Sequence, residues 1–280
     1  MTPEGMERAA RMLAGAHRVV VSSGAGMSKE SGIPTFRDAM EGLWANFDPQ
    51  ELATEAGFRA DPRRVWSWYA WRRERISEAR PNPGHHALVR LQELVPRLTV
   101  VTQNIDGLHA EAGSADVVEL HGSIRRVKCL DRGHPYEGTL PPYAEGQDPP
   151  PCPVCGSPLR PDVVWFGEML PADAVERAWS LAERCDAMLL IGTSGTVWPA
   201  AELPLVARRH GALIVEVNPT PSELTHAADV FLAGPAGQVL PALVDAVARI
   251  QETKGLTQSQ RSEQSLVCAG DNAAHAADCA

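Results

Sequence analysis

The sequence of 280 residues has no excess of positive charge: 26 Lys and Arg stand against 35 Asp and Glu, a formal net charge of −9. A protein that lives on nucleic acid or on an anionic membrane needs a basic face, so neither is expected as a partner beyond a small local patch. No apolar stretch approaches membrane-spanning length. The opening MTPEGMERAARMLAG lacks the apolar centre of an export signal, because Glu4, Glu7, Arg8 and Arg11 are spread through it. Six cysteines without such a signal are expected to be reduced, buried or metal-bound rather than paired, which points to the cytoplasm. There is no internal repeat.

A hydrophobic content of 44% is ample for a core. Strand-like runs recur at 17–23, 97–103, 116–120, 186–194, 212–217 and 229–234, and helical patterns lie at 3–15, 61–79, 84–95, 171–184, 199–209 and 236–251. This alternation predicts an α/β fold with a parallel, doubly wound sheet. Between 127 and 163 the periodicity vanishes and proline is dense (LPPYAEGQDPPPCPVCGSPLRP), so this loop-rich insertion needs a staple beyond a hydrophobic core. From 251 to 280 the chain is polar and Ala-rich, with too few large apolar residues to pack, and is expected to be disordered.

A further absence concerns VVVSSGAGMSKESGIPTFRD, residues 19–38. A strand running into Gly24-Ala25-Gly26 is expected to offer backbone N–H groups to an anion, the glycines letting a pyrophosphate approach. The dinucleotide fingerprint, however, has a third Gly three residues after the second, and position 29 is Lys. Ordinary hydride transfer is weakened accordingly. Other polar motifs follow the remaining strands, where a doubly wound sheet collects ligands: TQNIDGLH, ELHGS, IGTSGTVWP and EVNPTPSE. Taken singly each has a plain alternative. Asn104 and Asp106 suit turns, His121 suits a satisfied strand end, and Gly192-Thr193-Ser194 suits a capped strand-to-helix turn.

Together and in this order, GAGMSKESGIPTFR, TQNIDGLH, ELHGS, CPVCG, RPDVVWFGE, GTS and VNPTPSE resemble the sirtuins, the NAD-dependent protein lysine deacylases. The likeness spans roughly residues 15–245. Met27 stands where the family usually has Ile, a conservative exchange. The resemblance implies a Rossmann-like NAD-binding domain from 1–126 and 164–250, with a helical insertion near 36–95 and a small zinc-ribbon-like insertion at 127–163. It implies that NAD is cleaved at its nicotinamide–ribose bond, with the carbonyl oxygen of an acylated lysine as nucleophile and His121 as the base that deprotonates a ribose hydroxyl. Free lysine, nicotinamide and O-acyl-ADP-ribose would result. Gly24, Ala25, Gly26, Ser28, Phe36, Arg37 and Trp44 would wrap NAD, with Gln103, Asn104, Ile105 and Asp106 at the nicotinamide and its ribose. Gly192, Thr193, Ser194, Asn218 and Ala236 would hold the adenosine side. Val164, Trp165, Phe166, Gly167 and Glu168 would form a strand that pairs with the backbone of an acyl-lysine protein or peptide.

CPVCG supplies Cys152 and Cys155, half of a zinc knuckle. The other half lacks a cysteine: Cys129 is followed three residues on by Arg132, which cannot bind zinc. The fourth ligand is then His134, Asp131 or water, with His134 favoured because imidazole suits zinc; the alternative is an insertion that has lost its metal and folds by packing alone. Cys185 reads as a small core residue, and Cys268 and Cys279 lie in the tail.

In VWSWYAWRRERI, Tyr69 and Arg72 stand three apart and share a helix face. Their spacing resembles the Tyr-x-x-Arg of the sirtuin branch that prefers succinyl, malonyl or glutaryl groups, where Arg grips the terminal carboxylate. The plain alternative is a solvated charged face running on into Arg73, Glu74 and Arg75. Two rival functions remain for the chain as a whole. One is an ADP-ribosyltransferase or NAD hydrolase; the other is a non-catalytic reader of NAD or acyl-lysine, which would have no use for His121 as a base.

Overall fold

The computed structural model describes residues 2–34, 49–140 and 146–254. Phe36, Arg37, Trp44, Cys268 and Cys279 therefore lie outside the described residues, as does the tail from 255 onward. Six β-branched and aliphatic runs form one wholly parallel sheet: β1 Arg18–Ser23, β2 Arg97–Thr102, β3 Val117–Glu119, β7 Ala187–Ile191, β8 Leu213–Asn218 and β9 Val230–Ala233. Their order is β3-β2-β1-β7-β8-β9. Both faces are covered, which is why these strands read as unbroken apolar runs rather than alternating ones. On one face lie the helices Pro3–Gly15, Pro83–Leu94 and 236–254, packed through Leu13, Leu88, Leu91, Leu240 and Leu243; on the other lie Ala172–Arg184 and Leu203–Arg209. The fold is thus the doubly wound α/β class that the alternation predicts.

β1 and β7 are neighbours in space although far apart in sequence, so strand order reverses between them. At such a switch the loops leaving the strands diverge and open a crevice at their C-terminal ends. The loops after β1, β2, β3 and β7 all leave from this edge.

A second, antiparallel sheet has the order β5-β4-β6, built from β4 Gly122–Cys129, β5 Pro135–Tyr136 and β6 Leu159–Val163. It packs with the helix Pro62–Glu78 around Phe58, Trp66, Tyr69, Ile124, Leu159 and Trp165. Sequence periodicity gives no warning of β4 or β6, nor of the short helices Glu55–Ala60 and Leu108–Ala112. The predicted strand at 186–194 stops at Ile191, because Gly192 adopts a positive φ of 60°. The expected helix at 199–209 is split into a 3-10 turn, Ala200–Glu202, and the helix Leu203–Arg209. Among the described residues, no helix is long and apolar enough to cross a membrane.

Candidate active site

The loop after β1 folds as two short 3-10 turns, Ala25–Met27 and Lys29–Ser31. Two expectations about it are corrected. The N–H groups of Gly24 and Gly26 do not point to an anion; they donate to the carbonyls of Ile191 and Gly192 at 2.9 and 2.8 Å. The glycines serve the same packing: a Cβ on Gly26 would lie 2.7 Å from Gly192 Cα, and one on Gly24 would lie 2.9 Å from Gly192 O. The loop is pressed onto the β7 loop, and only residues without side chains allow that approach.

Ser28 then turns towards the loop after β2. Its hydroxyl donates to Asp106 Oδ2 at 2.8 Å and accepts from Asn104 Nδ2 at 3.1 Å. Asp106 Oδ1 also accepts from Leu108 N at 2.8 Å. Burial raises the pKa of this carboxyl, opposed by the bonds from Leu108 and Ser28. Asn104 N donates to Thr102 Oγ1 at 3.1 Å. Gln103 extends to Thr193 Oγ1 at 3.4 Å, and the Thr193 carbonyl accepts from Asn218 Nδ2 at 2.8 Å. Four segments far apart in the chain thus form one polar lining of amides, hydroxyls and the Asp106 carboxylate. Ile105 accepts a backbone bond from Ile124 at 2.9 Å, Ser194 Oγ bonds Thr196 Oγ1 at 2.7 Å, and buried Ala236 opens the helix 236–254.

His121 follows β3 and is half-buried. Its Nδ1 lies 2.9 Å from the carbonyl oxygen of Gln103. A carbonyl can only accept, so Nδ1 carries the proton and Nε2 keeps its lone pair. Burial lowers the pKa of His121, partly opposed by the bond to Gln103, so the ring is neutral at pH 7. Two other histidines are fully buried and take no part in the lining. His109 bonds Ser23 Oγ at 2.9 Å and His85 lies beside it; burial pushes their pKa values down to about 3 and about 4.

Val164–Glu168 does not form the expected strand. β6 ends at Val163, and Gly167, at φ 87°, turns the chain back so that Glu168 Oε2 accepts from Trp165 N at 2.8 Å. Phe166 N is held by Ala53 O at 2.8 Å and its side chain is exposed. This turn rests on Arg160, a residue that sequence reasoning missed. Arg160 is buried, pairs with Glu168, donates to Val163 O at 2.8 Å and stacks its guanidinium 3.4 Å from the Trp165 ring centre. The signal was present in the sequence, as a lone Arg ahead of Pro161 in an apolar stretch.

Trp165 Nε1 donates to the buried hydroxyl of Tyr69 at 3.0 Å, bringing together two predicted substrate residues 96 positions apart. Having accepted that bond, the hydroxyl retains its own proton to donate elsewhere. Arg72, one helical turn on, lies over the Trp68 ring at 4.7 Å and is half-buried. Desolvation lowers its pKa while Tyr69 opposes the shift, and a guanidinium stays charged in any case.

At the far end of β4, Cys129, His134, Cys152 and Cys155 bring four donor atoms within 4.8 Å of one another. Cys129 Sγ is 3.4 Å from Cys155 Sγ, and Cys152 Sγ is 3.6 Å from His134 Nδ1. The edge of a tetrahedron with zinc–sulfur bonds of about 2.3 Å is about 3.8 Å, so donor type and spacing both fit zinc. Burial raises the Cys129 thiol, but hydrogen bonds from the Arg132 backbone, Cys155 and Ser157 bring it down to about 6, in the direction that favours a thiolate ligand. Asp131, the other candidate, is paired with Arg59 at 2.8 Å and is not in the cluster.

The sequence model of the Sir2 family matches residues 24–199. A curated relative named NAD-dependent protein deacylase 1, from Pseudomonas aeruginosa, is 48% identical over 244 residues, covering 85% of this chain and 98% of its own. Another, named NAD-dependent protein deacylase, from Methylococcus capsulatus, is 50% identical over 239 residues, covering 84% of this chain and 94% of its own. A solved structure of a Sir2 homolog–NAD complex superposes with a TM-score of 0.81 at 44% identity, covering 87% of this chain and 94% of that one.

Proposed function

Because the chain belongs to the Sir2 family, we propose that it is an NAD-dependent protein lysine deacylase, with His121 as its base. One observation carries this: a histidine after β3, beside the loop that carries Gln103, is fixed by Gln103 O in the tautomer that leaves Nε2 able to take a proton. The lining beside it suits the ligand. The amides of Gln103, Asn104 and Asn218, the hydroxyls of Ser28 and Thr193 and the carboxylate of Asp106 match a carboxamide and ribose hydroxyls. When bound, NAD supplies an electrophilic ribose carbon whose bond to nicotinamide breaks. This chain's residues would orient that ribose and accept the proton of its hydroxyl at His121 Nε2. Gly24, Ala25 and Gly26 line the cofactor loop, and Phe36, Arg37 and Trp44 are assigned to the same ligand. Gly192, Ser194 and Ala236 stand on the adenosine side, and Ile105 backs the nicotinamide end.

Val164–Glu168 receives the acyl-lysine peptide, and the Tyr69–Arg72 pair selects acidic acyl groups, succinyl, malonyl or glutaryl, with acetyl also accepted. The proposal is tested by nicotinamide release with and without an acyl-lysine peptide. Strict dependence on the peptide is expected. Release of equal rate without peptide selects the hydrolase or transferase reading, and no release with intact ligand binding selects a reader.

Zinc is assigned to Cys129, His134, Cys152 and Cys155 as a structural ion. About one zinc per chain is expected by elemental analysis of protein purified without chelator. Cys152→Ser should lower the melting temperature by about 10 °C or more, since each kcal/mol corresponds to roughly 2–4 °C at this size. Metal-free protein of undiminished stability would show that the cluster packs without an ion. A thiol cluster of this kind belongs in a reducing compartment, and the proposal places the protein in the cytoplasm.

A further inference from the structure

We infer that Asn82, which lies behind the Ser28 loop and is not itself part of the lining described above, is a positioning residue that sets the cofactor loop, an inference that rests on the functional reading above. Asn82 is the N-cap of the helix Pro83–Leu94. Its side-chain oxygen accepts from Gly84 N at 2.9 Å and His85 N at 3.4 Å. Its amide nitrogen points the other way, donating to Met27 O at 2.8 Å and to Ser31 Oγ at 3.1 Å. Donors face the oxygen and a carbonyl faces the nitrogen, so only this orientation of the amide satisfies the network. All four of its hydrogen-bonding positions are used, in a buried site.

The geometry exceeds what a helix cap needs. Capping uses the oxygen alone, and Asp or Ser would serve as well. The nitrogen grips the loop at Met27 and Ser31, on either side of Ser28, whose hydroxyl joins Asp106 and Asn104. The grip is braced from behind. Glu30, inside the same loop, accepts from Gly237 N at the start of the helix 236–254. Gly84 sits so close to that helix start that a Cβ on it would lie 3.0 Å from the Ala236 carbonyl. The cap of one helix and the start of another thus form a rigid seat for Met27–Ser31. With the nitrogen removed, Met27 O loses a buried partner, and Ser28 keeps its bonds to Asp106 and Asn104 but loses the brace on either side of it.

Asn82→Asp and Asn82→Ser keep a cap oxygen and remove the amide NH2 that reaches Met27 and Ser31, so they separate the two roles. On the full chain, ADP-ribose binding by calorimetry and the KM for NAD should each weaken about tenfold, the consequence of roughly one lost buried hydrogen bond. Turnover should change less than about threefold, and the ligand-free melting temperature should fall by no more than about 6 °C. ADP-ribose binding within about twofold of wild type, or a loss of stability with KM unchanged, overturns the inference. Should neither variant fold, Ser31→Ala leaves the cap untouched: a rise in KM of about threefold supports the inference and an unchanged KM overturns it. A wild-type chain that binds no ADP-ribose overturns the functional reading itself, and this inference with it.

Discussion

His121→Ala should lower turnover by about two to four orders of magnitude, the usual range for a lost general base, while ADP-ribose binding stays within about threefold of wild type. The asymmetry follows from what the ring touches. Its one hydrogen bond among the described residues is to the Gln103 carbonyl, and that bond fixes the ring rather than the ligand. The loop that carries Gln103 is held independently, by Gln103 N on Ser23 O at 2.9 Å and by Asn104 N on Thr102 Oγ1 at 3.1 Å. Removing the ring therefore removes a proton acceptor and leaves the lining in place. Near-normal turnover in a clean His121→Ala preparation would sink the assignment.

The pH dependence has a determined sign. A base works in its neutral form, which is lost as pH falls through its pKa. Burial holds His121 below the ordinary histidine value of 6.5, so the acid limb of kcat/KM should be centred below that value. The acid limb should vanish in His121→Ala, measured on the residual rate. A limb centred above 7 would mean that the ring is stabilised as a cation, contrary to its bond with a carbonyl and its burial.

What could be read in advance, and what could not, divides along the two sheets. β1, β2, β7 and β8 are buried on both faces, so their sequences are short apolar runs that stop at Gly24, Gln103, Gly192 and at Asn218 itself; strand and ligand edge were legible together. The second sheet hides itself. β4, GSIRRVKC, carries an irregular register between Ser123 and Val127, and its burial does not alternate. β6, LRPDV, holds Pro161 inside a strand, which an edge position tolerates but which reads as loop. The candidate site was legible where a residue's own chemistry marks it out, as with His121 and the clustered cysteines. It was less legible where an ordinary residue acts through tertiary contacts: only the folded chain brings Asn82 to Met27 and Arg160 to Trp165. His134 joined the thiols because the turn Leu130–Gly133 returns the chain to Cys129, whose N–H meets His134 O at 2.8 Å.

Arg72→Met should shift the ratio of desuccinylation to deacetylation by at least about a hundredfold in favour of acetyl, read as kcat/KM on matched peptides. The side chain keeps its bulk and loses its charge. Arg72 emerges beside a wall of aromatic rings, with Trp68 under its guanidinium and Trp68 edge-on to Tyr69 at 4.7 Å. In that half-dry setting a substrate carboxylate would gain a charge-assisted, two-point bond, and truncating one partner of a buried charge pair costs about 2–5 kcal/mol. An acetyl group has no carboxylate to lose. Tyr69→Phe should move the ratio in the same direction by less, because it removes one neutral donor; it also leaves Trp165 Nε1 without the acceptor it has at 3.0 Å, so a general loss on both substrates should accompany the shift. Equal losses on succinyl and acetyl peptides in Arg72→Met would mean that the guanidinium only supports its helix by stacking on Trp68, and the acidic-acyl preference would have to be withdrawn.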